Sequence, residues 1–116
     1  MKRVTIEDVI ATVDEMYPNT YDRKDKERWI KELEKRIEIE IISIHESPQE
    51  VEENKLYAPE PYADIYVHYL EMQMDKSNGE YDRYSNHMAL FENMYHDFAV
   101  YYNRTHMPVD NGRVKL

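Results

Sequence analysis

A chain of 116 residues has room for one hydrophobic core and not for two, and its 41% hydrophobic and 34% charged residues suffice to collapse it. Its 24 acidic against 15 basic residues leave a formal charge of -9, which repels a phosphate backbone and argues against tight nucleic-acid binding. No cysteine means no disulfide, thiolate metal site or thiol nucleophile, and two glycines, Gly79 and Gly112, are too few for a phosphate-cradling loop or a dinucleotide fingerprint.

The start Met1-Lys2-Arg3 runs into alternating apolar and acidic residues, so neither a secretion signal nor a membrane span is expected. Thr5 with Asp8 three residues on resembles a capping box, and Ile6, Val9, Ile10, Val13 and Tyr17 recur at helical spacing. This predicts a first short helix over about 6–16, ended by Pro18. Asp22 is a candidate cap for a long second helix with Ile30, Leu33, Ile37, Ile41 and Ile44 on one face. The pairs Glu27 with Lys31 and Glu32 with Arg36 would support the opposite face. Residues 37–41 also alternate with period two, but no breaker separates them from the preceding turns, so helix is retained.

Pro48, Pro59 and an acidic run make 46–60 a pattern-free, flexible linker. Pro61 is placed for the first turn of a third helix, where Tyr62, Ile65, Tyr66, Val67, Tyr69, Leu70, Met72 and Met74 leave little polar circumference. Such a helix sits centrally or is covered by a partner. Asn78-Gly79 supplies a left-handed stop, and a fourth helix starting at once predicts an antiparallel hairpin of helices three and four. In that helix Tyr81, Tyr84, Met88, Phe91, Tyr95, Phe98 and Tyr102 form a heptad-type seam, widened by Leu90, Met94 and Tyr101, that should pack on helices two and three. From about 104 to 116 the pattern lapses into an extended tail. The fold class is therefore all-α: one domain, a small bundle of about four helices with a C-terminal helix hairpin.

Several clusters invite chemistry, and each has a simpler explanation. Asp64, His68, Glu71 and Asp75 share one stripe of helix three and suggest a divalent metal, but an otherwise apolar helix needs some solvated face. His45-Glu46 begins a zinc-protease motif whose second ligand is missing, since position 49 is Gln. Glu92 and His96 make a surface ion pair more readily than a proton-transfer pair, because no nucleophile is spaced beside them. The bases of Arg23-Lys24-Asp25-Lys26-Glu27-Arg28 alternate with acids and balance themselves. Asn103-Arg104-Thr105 matches a glycosylation acceptor, without a secretion signal to make it meaningful. No catalytic residue, cofactor or metal ligand is expected. The lopsided use of 11 Tyr against 2 Phe suits surfaces that are packed on one edge and wet on the other. With helix three apolar nearly all round, some of that surface should meet another subunit.

Two blocks, Asn78-Gly79-Glu80-Tyr81-Asp82-Arg83-Tyr84 and Phe98-Ala99 with Tyr101-Tyr102-Asn103-Arg104-Thr105-His106-Met107-Pro108, are more unusual than helix patterning requires. With Ala58-Pro59-Glu60-Pro61-Tyr62, Tyr66, Tyr69-Leu70 and Ala89-Leu90-Phe91, they make residues 56–108 resemble the head-to-tail connector (adaptor or head-completion) family of tailed phages and prophages of Gram-positive bacteria. The first half matches only as a pattern of a short helix followed by a Trp-containing one.

That resemblance implies a structural virion-assembly subunit without enzymatic activity. It would dock under the portal ring, oligomerise with the portal's symmetry and extend the DNA channel. The implied partners are further copies of itself, the portal protein and a tail-side completion protein, with DNA passing through unbound and no membrane involved. The implied location is the virion, and the host cytoplasm during assembly. On this reading Tyr62, Tyr66, Tyr69, Tyr81, Tyr84, Phe91, Tyr95, Phe98 and Tyr102 supply core and interface, while Arg104, His106 and Met107 contact neighbours. Segments around 50–57 and after Met107 would order only on docking. The alternative is an acidic helical regulatory binding protein of the DNA-mimic type, with Glu34, Glu38 and the linker acids as its candidate charges.

Overall fold

The computed structural model describes residues 2–44 and 54–106. Four α-helices follow in chain order, α1 (Ile6–Met16), α2 (Arg23–Glu40), α3 (Asp64–Ser77) and α4 (Tyr81–Thr105), so the all-α class and the element order agree with expectation. The Thr5–Asp8 capping box is formed: the Thr5 hydroxyl accepts from Asp8 N at 3.1 Å and Thr5 N donates to the Asp8 carboxylate at 3.0 Å. Those bonds to Thr5 hold the Asp8 carboxyl below its ordinary value.

α2 buries Trp29, Ile30, Leu33 and Ile37. Its Asp22 cap works through the backbone and not the side chain, the Asp22 carbonyl accepting from Asp25 N at 3.1 Å. The surface pairs also differ from expectation, since Glu27 is taken by Arg23 at 2.7 Å and Glu32 by Arg28 at 3.5 Å. Arg36 is free to turn to Glu40 at 3.0 Å because its guanidinium lies over the Tyr95 ring, 4.3 Å from the centroid. Past Glu40 the chain tightens into a single 3₁₀ turn, Ile42–Ile44, which rotates Ile41 and Ile42 inward and leaves Ile44 exposed, against its expected place on the buried face.

α3 begins at Asp64 and not at Pro61. The Glu60–Pro61 peptide is cis. Residues 59–66 descend through tight turns, with Tyr62 N donating to Pro59 O at 2.7 Å and Ile65 N to Tyr62 O at 3.1 Å. The expected 46–60 linker is also shorter than its sequence suggests, because residues 54–60 are packed as a strap. Leu56 N donates to Val4 O at 2.9 Å, Glu60 N to Lys2 O at 2.8 Å, and Arg3 Nε to Leu56 O at 3.1 Å. Leu56 and Ala58 are buried beneath it. Residues 45–53 lie outside the described residues, and with them His45 and most of the linker acids.

α1, α2 and α4 all pack on α3, which explains its nearly all-apolar circumference: Ile65, Tyr66, Val67, Leu70, Met72 and Met74 are covered by the chain's own helices. The α3–α4 hairpin turns through a Schellman motif, Gly79 N donating to Lys76 O at 3.2 Å and Glu80 N to Asp75 O at 2.8 Å, with Gly79 at φ +73°. α4 then runs 25 residues, about 37 Å. It buries Phe91, Tyr95, Phe98 and Tyr102. Its expected packing on α2 is reduced to long side chains: Arg36 over Tyr95, and the Tyr95 hydroxyl donating to Glu40 at 2.8 Å.

Candidate functional site

Two polar centres flank α3, one buried around Asp75 and one half-buried around Glu34. Asp75, on the last turn of α3, has no solvent exposure, and Glu71 one turn earlier is 7% exposed. The stripe expected to be a wet face is therefore covered, because α1 and α4 close over its C-terminal half. Asp75 accepts from the Tyr17 hydroxyl at the end of α1 and from His87 Nδ1 of α4 at 2.6 Å, with Arg83 Nε 3.8 Å away. The second His87 nitrogen lies 3.3 Å from Glu71 Oε1, and His68 Nδ1 lies 3.2 Å from that same oxygen. Both His87 nitrogens thus face carboxylate oxygens. Burial, with Asp75 beside it, pushes the Tyr17 hydroxyl up to about 12. The Arg83 guanidinium lies 4.8 Å over the Tyr17 ring, and Tyr21 donates to Asn78 at 2.6 Å. Here α1, α3 and α4 are tied by charge.

The second centre is Glu34 of α2. One carboxylate oxygen accepts from the Tyr66 hydroxyl at 2.6 Å and the other from Tyr57 N at 2.9 Å. Tyr66 in turn accepts from Ala58 N at 3.0 Å, so Glu34 and Tyr66 together hold the strap to α2 and α3. Burial pushes the Glu34 carboxyl up to about 7, although both hydrogen bonds and the nearby Arg3 charge pull the other way. The Tyr57 hydroxyl donates to Glu38 at 3.2 Å. Of the acids a DNA-mimic reading names, Glu34 is half-buried and holds the strap, while Glu38 is exposed.

These centres use their polar atoms to hold helices together. His87 is engaged on both sides, and among the described residues no group of three or more His, Cys, Asp or Glu is arranged to hold a metal ion. No described helix is long and apolar enough to cross a membrane. Sequence reasoning found Asp75 and Glu71 but missed His87, Tyr17 and Arg83. Their only signal was that Tyr17, Arg83 and His87 flank the two turns that the chain must make.

The expected site residues divide by place. Tyr66, Phe91, Tyr95, Phe98 and Tyr102 are buried. Tyr62 is half-buried and stacks on Tyr101 at 4.9 Å between centroids, while Tyr69 leans on Phe91 at 5.5 Å. Tyr84 is half-buried. Tyr81 is 69% exposed, and with Met88 at 38%, Leu90 at 51% and Val100 at 43% it leaves much of α4's apolar surface uncovered. Arg104 is exposed on the last turn of α4, inside the helix and not in a tail. His106 caps that helix, its ring stacked on Tyr102 at 3.7 Å and 3°, so it is engaged within its own chain. Met107 and the rest of the tail lie outside the described residues. The basic cluster balances itself as expected and reaches further: Arg23 meets Glu7 at 3.4 Å, and the buried Lys26 pairs with Asp14 at 2.6 Å. The bond from Lys26 holds the Asp14 carboxyl low.

No protein-family model matches the chain, and neither the curated proteins nor the solved structures contain a match to it.

Proposed function

We propose that this protein is a structural assembly subunit of the head-to-tail connector kind, docking under a portal ring, associating with further copies of itself and extending the channel through which DNA passes. The supporting observation is α4, a 25-residue helix that packs on the body along one face and leaves Tyr81, Met88, Leu90 and Val100 exposed along the rest. An exposed apolar set spread along a rigid rod suits contact with other proteins better than capture of a small molecule. The resemblance of residues 56–108 supplies the identity of those proteins: the portal on one side and a tail-side completion protein on the other. The net charge of -9 fits a channel past which phosphate slides without sticking. The subunit would act in the virion, assembling in the host cytoplasm.

Electron microscopy of particles from a parent phage or prophage lacking this gene tests the reading. Filled or leaking heads without tails are expected. Normal tailed, infectious particles would overturn it.

A further inference from the structure

Both glycines of the chain follow an asparagine, as Asn78-Gly79 and Asn111-Gly112. In this dipeptide the glycine backbone nitrogen can attack the asparagine side-chain carbonyl carbon, Cγ, because the glycine has no Cβ to stand in the way. The new N–C bond closes a succinimide ring, the side-chain amide nitrogen leaves as ammonia and the glycine N–H proton passes to solvent. Water then opens the ring at either carbonyl, giving aspartate or its β-linked isomer, isoaspartate. No other reactant is needed.

The fold gives Asn78-Gly79 access to water and at the same time holds the reaction back. Asn78 and Gly79 are both exposed at the tip of the α3–α4 hairpin, and nothing lies within 4 Å of the place of a Gly79 Cβ. Three features oppose ring closure. Attack requires the Gly79 nitrogen to swing onto the Asn78 side chain, whereas Asn78 sits in the right-handed helical region at φ -86° and ψ -4°, which turns that nitrogen away from its Cβ. The Gly79 N–H is engaged by Lys76 O at 3.2 Å. The Tyr21 hydroxyl donates to Asn78 Oδ1 at 2.6 Å, and the Tyr21 ring packs edge-on against Trp29, 5.6 Å between centroids. The carbonyl that must turn toward the backbone is thereby tied to the segment joining α1 to α2, 57 residues away in the chain.

We infer that Asn78 is a site of self-modification gated by the hairpin turn, converted to aspartate and isoaspartate when the turn opens, with the Tyr21 hydroxyl holding its side chain out of reaction. Opening one exposed turn costs less than unfolding the bundle, so the reaction proceeds from a locally opened state. Aspartate at position 78 puts a further acid between Asp75 and Glu80, at the negative end of the α3 dipole. Isoaspartate adds a methylene to the main chain inside the Schellman turn, so the bond from Glu80 N to Asp75 O at 2.8 Å loses its register. That turn aims Arg83 and His87 at Asp75, and the modified chain therefore loosens the tie between α1, α3 and α4. The inference stands on the turn and does not depend on the connector reading.

The test is peptide mapping by mass spectrometry after the full chain has been held at mildly alkaline pH, folded in buffer and unfolded in urea, with conversion at Asn111 followed in the same samples. Wild type is expected to convert Asn78 at least about tenfold more slowly folded than unfolded. Tyr21→Phe removes one hydroxyl and keeps the ring beside Trp29, and is expected to raise the folded rate at Asn78 about fivefold, the worth of one hydrogen bond, while leaving the rate at Asn111 unchanged. Equal rates at Asn78 in the folded and unfolded chain would overturn the inference. So would a Tyr21→Phe variant that keeps both the wild-type melt and the wild-type rate, or a chain in urea that converts Asn111 and spares Asn78. If Tyr21→Phe melts early, the folded and unfolded rates of wild type decide the gating without it.

Discussion

Asp75 and Glu34 are both carboxylates pressed against α3, the first buried and the second half-buried, yet they are supported differently. Asp75 accepts from the His87 imidazole and the Tyr17 hydroxyl with the Arg83 guanidinium nearby, so its neighbours include two groups able to carry positive charge. Glu34 accepts only from neutral donors, a phenol and a backbone amide, and its carboxyl is pushed up to about 7. Burial alone does not decide the fate of an acid: neutral hydrogen bonds offset only part of the lost hydration, whereas a cation in contact offsets far more. Isosteric neutralisation of the two should therefore act in opposite directions.

The largest effect is expected at Asp75. Asp75→Asn keeps the volume but sets an amide against His87 and Arg83, and should destabilise by roughly 3 kcal/mol in urea denaturation. A loss under about 1 kcal/mol would mean that the charges there do not hold the helices.

Glu34 comes next, with the sign reversed. Its folded carboxyl keeps a proton up to about 7 against an ordinary 4.5, so between those values the folded state binds more protons than the unfolded. Its contribution is fully present below 4.5 and is lost as pH rises through 7, on the order of 3 kcal/mol over the window. Glu34→Gln should flatten that slope and leave the protein more stable than wild type at pH above 7. A variant whose stability keeps the wild-type pH dependence would place the titration elsewhere.

A smaller effect isolates the Asp75 side. Gly79 sits at φ +73° with open space around the place of a Cβ, so Gly79→Ala should cost about 1 kcal/mol through backbone conformation alone. The turn aims Arg83 and His87 at Asp75, so amide exchange should quicken around residues 75–87 and stay unchanged at Tyr57 and Ala58. Equal quickening at both places would show that the two centres are one cooperative unit.

Periodicity and turn chemistry made most of this fold readable. The capping box at Thr5, the glycine stop at Gly79 and the Phe91–Tyr95–Phe98–Tyr102 seam each depend on neighbours within a few turns. Where the sequence misled, the deciding partner lay far along the chain. Asp75 is buried because Tyr17 and His87 converge on it, and 54–60 is a strap because Val4, Arg3 and Glu34 receive it. No local pattern announces a contact 53 or 58 residues away. The seam also over-reached at its start, predicting burial for Tyr81 and Met88, which the turn of the helix carries past the edge of the buried stripe of Phe91, Phe98 and Tyr102.

The strap also bears on how the chain reaches its folded state. Helices three and four need only a tight turn to meet, a closure fast enough for the hairpin to assemble early. Joining residues 2–5 to 54–60 instead closes a loop of about fifty residues, and the entropy of that closure is lost before its hydrogen bonds repay it. The strap should therefore be a late event, with Val4→Ala speeding unfolding while leaving the refolding rate nearly unchanged, and Leu70→Ala, in the hairpin interface, slowing refolding.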